Sequence, residues 1–401
     1  MVTSIESQLL SNTTELRAQV DLIVNSAPVA DAHTHLFPPE FNELCLWGID
    51  ELLTYHYLTA EALRSARITY EQFWAMSKTA QADLVWKTLF VDNTPTSEAA
   101  QGIISVLDVF GLDTRAPDLK EARAFFNSQN LAEHLDQVFD IARVSGVVMT
   151  NDPFDEAEDQ LWSSSVDHRF SSSLRLDSLI NTAHAVSTVT QIRAFLDNWI
   201  QRRNPVYMAL SLPPDFNFPS EDARDRLLRE VILPTAKEHR LPLTLMVGVR
   251  RGVNPQLRDA GDALGRADVS AIERLCLEFR EVKFLVTFLS RENQHELCVA
   301  ARKFSNLMPF GCWWFLNNPS IVSEITRERF ELLGQSFIPQ HSDARVLEQL
   351  IYKWKHARRQ IADALYDSYQ QLLDRGRAIT PDEISRDVNR LFSGNFNELV
   401  G

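Results

Sequence analysis

Eight short and nearly continuous apolar runs punctuate this chain: Val29–His33, Gly146–Thr150, Leu174–Leu179, Val206–Leu212, Leu243–Val249, Val282–Leu289, Leu307–Phe310 and Ser336–Pro339. Continuous rather than alternating apolar character marks strands buried on both faces, the habit of parallel sheets. Beyond the second run, successive members stand roughly 20 to 40 residues apart, room for one crossover helix each. Helical patterns fill those intervals, as in Thr190–Arg203, Ser220–Glu238 and Val269–Arg280. Eight strand–helix units predict an α/β chain folded as a TIM-type (β/α)8 barrel rather than an open doubly wound sheet.

One interval breaks the rhythm. Residues 36–145, 110 positions between the first and second runs, exceed any single crossover. They carry helical patterns at Ala60–Arg67, Tyr70–Lys78, Ser97–Val109, Leu119–Asn127 and Leu131–Ser145, so the segment reads as a helical insertion within one barrel domain spanning 1–401. Without it about 290 residues remain, a comfortable barrel length. No linker, repeat or low-complexity tract divides the chain. After the last run, Leu347, Leu350, Ile351, Trp354, Ile361 and Leu365 recur at three- and four-residue steps, the pattern of a helix docked on a core. Thr380-Pro381-Asp382-Glu383 then reads as a capping box with proline at the first helical position.

Charge and composition narrow the partners. Lys and Arg number 40 against 54 Asp and Glu, a net charge of −14, which argues against a nucleic-acid binder. No apolar run approaches the roughly 18 residues that span a bilayer; the strongest, Leu307–Leu316, is broken by Pro309 and Gly311. The opening Met-Val-Thr-Ser-Ile-Glu-Ser-Gln lacks the basic-then-apolar layout of a signal peptide. Four widely spaced cysteines, Cys45, Cys276, Cys298 and Cys312, form neither a zinc pattern nor a disulfide framework. The expectation is a cytoplasmic protein with a small-molecule partner, no membrane and no nucleic acid; a homo-oligomer is compatible with the sequence.

The first chemical signal is Asp31-Ala32-His33-Thr34-His35, at the end of the first run. Side chains two apart on a strand point the same way, so both imidazoles face one metal at the C-terminal mouth of a barrel. The bland alternative, two satisfied polar residues at a strand end, would not need two histidines in phase. The second signal is Gln340-His341-Ser342-Asp343-Ala344-Arg345 after the last run, which lies beside the first strand once a barrel closes. Alone, Asp343 would more often cap a helix; in phase with the histidines it completes a His, His, Asp metal set and serves as a base.

These features resemble the amidohydrolase superfamily and, within it, the uronate isomerases. That family's opening Asp-x-His-x-His-Leu-x-Pro is matched by Asp31 to Pro38, and its Gly-x-Asp-His-Tyr-type segment loosely by Thr54-Tyr55-His56-Tyr57. Its Thr-x-Asp-Pro turn corresponds to Thr150-Asn151-Asp152-Pro153, and its Phe-Arg-Pro-Asp segment to Leu174-Arg175-Leu176-Asp177. Gly311-Cys312-Trp313-Trp314-Phe315-Leu316-Asn317 matches its Gly-x-x-Trp-Trp-Phe-x-(Asn/Asp), and Ser342-Asp343-Ala344-Arg345 its Thr-Asp-Ser-Arg. The order is kept from Asp31 to the C-terminal helices.

The resemblance implies one divalent metal, expected to be zinc, on His33, His35 and Asp343. It implies that Asp343 carries a proton between C2 and C1 of an open-chain hexuronate, aldose to ketose. His56 and Tyr57 would contact sugar oxygens and help shuttle protons. Arg175 and Arg345 would bind the uronate carboxylate or nearby oxygens, a task suited to a guanidinium fork. Trp313 or Trp314 would wall the pocket, strand alternation letting at most one face the mouth.

Several positions depart from the family. Met246-Val247-Gly248 stands where a His followed by Ile-Gly is common, and a thioether is a poor partner for a hard metal or a sugar oxygen. Leu58-Thr59-Ala60 replaces a basic–aromatic stretch, and Ala344 a serine. The fourth run offers no lysine to bridge two metals, which favours a mononuclear site. Two other functions therefore stay open: a hydrolase of the same superfamily using a metal-activated water, and a sugar-acid binder without catalysis. On residues alone Arg175 pairs with Asp177, Asp152 caps a turn, the run Asp155–Asp159 is a solvated face, and His134, His168, His184, His239, His295 and His356 are surface or packing residues.

Overall fold

In the computed structural model, which describes residues 9–162, 167–182 and 188–401, ten strands follow one another along the chain. They are β1 (Val29–Asp31), β2 (Val144–Val148), β3 (Phe170–Ser171), β4 (Leu174–Arg175), β5 (Met208–Leu212), β6 (Leu243–Val247), β7 (Val249–Arg250), β8 (Ala263–Leu264), β9 (Phe284–Phe288) and β10 (Leu307–Pro309). Two parallel sheets share the ring: β1-β2-β3, and β10-β9-β6-β5-β4. Single parallel bridges join them onward, Asn151 to Leu174 and Phe310 to Ile338. The circle is completed where Asp343 N donates to His33 O at 3.1 Å and His35 N to Ala344 O at 2.7 Å. This is a TIM-type barrel whose ladder is interrupted, not one unbroken closed sheet.

Two of the eight expected strands are corrected. Leu174–Leu179 supplies only the two residues of β4; a helix, Asp177–Thr182, takes over. The Asp177 carboxylate is drawn into that turn, accepting from Ser211 N at 2.6 Å and pairing with Arg175 at 2.8 Å. Ser336–Pro339 forms one bridge instead of a strand. Ile338 alone pairs through the backbone, while Asn395 Nδ2 takes up Phe337 O at 2.8 Å and the preceding Gln335 O at 2.7 Å, and Pro339 has no N–H to extend a ladder. The antiparallel pair β7 and β8 frames a 3-10 stretch, Pro255–Gly261, that the run pattern did not anticipate.

Between β1 and β2 the chain is helical, including His56–Leu63, Tyr70–Trp74, Lys78–Trp86, Glu98–Val109, Lys120–Ser128 and Leu131–Ala142. The helix expected from Ala60 thus begins four residues earlier, which sets His56 in its first turn. Of these, Glu98–Val109 and Leu131–Ala142 pack on the 26-residue helix Gln349–Asp374. Leu347, Leu350, Ile351, Trp354, Ile361 and Leu365 are all buried there, at most 3% exposed, as their spacing required. The capping box is present, Thr380 accepting from Glu383 N and the Glu383 carboxylate from Thr380 N. The final turn, Asn395–Val400, adds Phe396 and Leu399 to the cluster inside the barrel.

No helix among the described residues is long and apolar enough to cross a membrane. All four cysteines are buried and free. Among the remaining histidines, His134 is fully buried with its Nε2 2.8 Å from Glu348, while His168 and His295 are exposed. His184 and the opening octapeptide lie outside the described residues.

Candidate active site

A cavity of about 890 Å³ opens at the C-terminal ends of the strands. Its lining includes His33, His35, His56, Arg175, Met246, Trp313, Trp314, Asp343 and Arg345. Strand ends thus converge there with the helical segment after β1.

On the floor, His33 Nε2 lies 3.7 Å and His35 Nε2 3.5 Å from Asp343 Oδ1. Three ligands on one tetrahedral zinc-like ion, each bonded at about 2.1 Å, stand about 3.4 Å apart, so the spacing suits an ion better than direct hydrogen bonds. His33 Nε2 and Asp343 Oδ1 are buried with no hydrogen-bond partner. The tautomer agrees: Tyr207 OH donates to Ala32 O at 2.9 Å, so its oxygen accepts from His33 Nδ1 at 3.1 Å, leaving the Nε2 lone pair free. Burial above all, with the neighbouring imidazoles, holds His33 well below its ordinary pKa and hence neutral. Burial pushes the Asp343 carboxyl up, but His35, His33 and Lys353 outweigh it and keep it below the usual carboxylate range. Asp343 adopts φ 52°, left-handed backbone that a non-glycine residue takes only under constraint. Alongside, Gly311 is obligatory: at φ +64°, a Cβ there would stand 1.8 Å from the ring of His341. These residues fit a single divalent ion.

On the roof, Trp314 Nε1 donates to His56 Nε2 at 3.1 Å. An indole nitrogen only donates, so His56 carries its proton on Nδ1. Burial drives the His56 pKa down to about 3, so the ring is neutral. Both tryptophans line the cavity. Strand alternation does not apply, because Trp314 opens a 3-10 turn at φ 47°. Tyr57 is absent from the lining among the described residues; Tyr55 takes that place. With the helix starting at His56, Tyr57 turns behind the wall, its hydroxyl buried and unpartnered. Burial raises its pKa well above the ordinary value.

The two arginines differ. Arg175 holds Asp177, the pairing its spacing suggested, whereas no carboxylate among the described residues lies within ion-pair distance of Arg345. Met246, in register with Thr287, forms part of the floor. Sequence reasoning missed Tyr207, Tyr55, Lys78 and Arg251 around this cavity. Only Tyr207 carried a signal, a hydroxyl inside a buried run.

No protein-family model matches the chain, and no curated protein does. Solved structures do. A uronate isomerase from Thermotoga maritima superposes with TM-score 0.75 at 15% identity, covering 100% of both chains. A glucuronate isomerase from Caulobacter crescentus does so with TM-score 0.69 at 15% identity, over 99% of this chain and 97% of its own. At that identity they show the barrel alone. A uronate isomerase from Bacillus halodurans C-125 is 50% identical with TM-score 0.95, covering 98% of this chain and 97% of its own. With half of all positions shared over nearly the whole of both molecules, this chain belongs to the uronate isomerase family.

Proposed function

We propose that the protein is an intramolecular aldose–ketose isomerase of a hexuronate or closely related sugar acid. The 50% identity to a uronate isomerase over almost the entire chain carries this reading. His33, His35 and Asp343 would hold one divalent ion, with zinc as the expected metal from their nitrogen and oxygen donors. When bound, that ion would polarise the sugar carbonyl and the hydroxyl beside it.

The chain's own groups do the rest. Asp343, anionic at neutral pH, takes the proton from C2 and returns it to C1, while O1 gains a proton and O2 loses one. His56 presents its Nδ1–H, since Trp314 occupies the other nitrogen, and a neutral donor steadies charge developing on the sugar oxygen without trapping it as an ion pair. Arg345, with no carboxylate within ion-pair distance among the described residues, receives the uronate carboxylate, and Arg175 orients neighbouring oxygens. Trp313 and Trp314 form the apolar wall. The helical segment 36–145 acts as an insertion that roofs the mouth.

The test is incubation of zinc-loaded protein with a panel of hexuronates in deuterated water, followed by proton NMR. Ketose signals with deuterium entering at C1 or C2 are the expected result. Absence of exchange in every uronate, with one metal per chain verified, would overturn it. The hydrolase reading is not favoured, because the relatives are isomerases.

A further inference from the structure

Lys353 lies one turn into the helix Gln349–Asp374 and is 1% exposed. No carboxylate among the described residues is within ion-pair distance of its ammonium. Burying such a cation is costly unless it gains something specific. Its pKa is lowered by burial, against the pull of Asp343, Glu98 and Asp31. Its Nζ donates to Ser342 O at 2.8 Å.

That carbonyl belongs to the peptide leading into Asp343, whose backbone is left-handed. The same oxygen accepts from Asn317 Nδ2 at 3.1 Å, so its hydrogen bonding would be met without a lysine. At the other end of the residue, Ser342 N donates to Asp31 Oδ1 at 2.9 Å, and Asp31 Oδ2 accepts from Trp354 Nε1 at 2.8 Å. Lys353 and Trp354, neighbours on one helix, therefore grip both sides of Ser342. The Lys353 ammonium also stands 5.7 Å from the ring centre of Tyr57. One helix thus reaches the strained turn below the cavity and an aromatic ring behind its wall.

We infer that Lys353 is a positioning residue: through Ser342 it holds the left-handed turn that aims the Asp343 carboxylate at His33 and His35. Lys353 adds a second donor to that peptide beside the Asn317 amide, and Trp354 on the same helix secures its other side through Asp31. The inference deepens the isomerase reading and rests on Asp343 acting there.

The test compares Lys353→Met, which keeps length but loses charge and donor, with Lys353→Gln, which keeps a donor. Each is measured in cobalt-loaded protein by its visible d–d spectrum and metal affinity, and in zinc-loaded protein by kcat and KM. Expected for Lys353→Met are an altered d–d band, metal affinity or kcat lower by about 10- to 100-fold, and KM within about twofold of wild type. Lys353→Gln should fall between the two, with the thermal transition of both close to wild type. A wild-type cobalt spectrum and kcat in Lys353→Met would overturn the inference. So would losses that merely track unfolded protein. If Lys353→Met does not fold, the same spectrum and kcat criteria apply to Lys353→Gln. Should wild type isomerise no uronate, the isomerase reading fails, while the cobalt spectrum still judges Lys353.

Discussion

On the cavity floor, His33 and His35 follow β1 and Asp343 follows the bridged segment Ser336–Pro339, and the two stretches are joined by backbone hydrogen bonds, Asp343 N to His33 O and His35 N to Ala344 O. On the roof, His56 sits in the first turn of a helix and is held by one side-chain bond from Trp314, 258 residues away. The floor is fixed where the barrel closes, so the position of each ligand follows from the backbone pairing of the segments that carry it. The roof is assembled from packed helices and loops, so each contact depends on a partner that local sequence does not name. Floor residues should accordingly govern the rate of chemistry, and roof residues should act by smaller steps on orientation and binding.

The largest effect should come from Asp343→Asn. Asparagine tolerates left-handed backbone, so the turn is kept while the base is lost. We expect kcat to drop by about a thousandfold with folding intact, read by proton exchange in deuterated water and by circular dichroism. A loss below about tenfold would place the proton carrier elsewhere and dissolve the contrast between floor and roof. Next, Arg345→Lys should raise KM by about tenfold with kcat little changed, because a point charge replaces a planar fork. If Arg175→Lys raised KM more, the carboxylate would belong to the arginine that Asp177 already holds.

The same contrast explains what was legible in the sequence. His33 and His35, two apart at the end of an apolar run, and Asp343 after the last run could be placed because strand periodicity and barrel closure fix their directions. The helix face of Leu350, Ile351, Trp354 and Ile361 was legible for the same reason, regular spacing. Lys353, within that face, was not: a lysine in a core stripe looks like a helix surface until its acceptor, Ser342 O, is seen. Ser336–Pro339 misled because apolar character reports burial and not ladder hydrogen bonds: only Ile338 pairs through the backbone, and Phe337 O is taken by the Asn395 side chain. Tyr57 was placed in the pocket by its neighbour, whereas helical geometry turns adjacent residues about 100° apart.

On the roof, Trp314→Phe keeps an aromatic wall but removes the donor to His56. We expect kcat to fall about tenfold, the scale of one buried hydrogen bond. Nitrogen NMR of labelled histidine should show His56 changing from a single Nδ1–H tautomer to a mixture. An unchanged tautomer would mean that something other than the indole orients the ring.

The smallest effect is expected where the roof meets the loop between β7 and β8. Trp74 Nε1 donates to Gln256 O at 2.8 Å, and the Arg258 guanidinium lies 4.4 Å from the centre of the same ring. This contact borders a second cavity of about 320 Å³, which shares Tyr55, His56 and Arg345 with the larger one. The loop also sends Arg251, Asp259 and Asp262 to the main cavity, so undocking it alters the entrance without touching the ligands below. Trp74→Phe removes one partly exposed hydrogen bond and weakens the cation–ring contact, together worth about 1 kcal/mol. We expect KM to rise about fivefold, with kcat and the cobalt spectrum unchanged. A matching loss in kcat would show that loop docking takes part in the proton-transfer step, and the roof would then share the chemistry assigned to the floor.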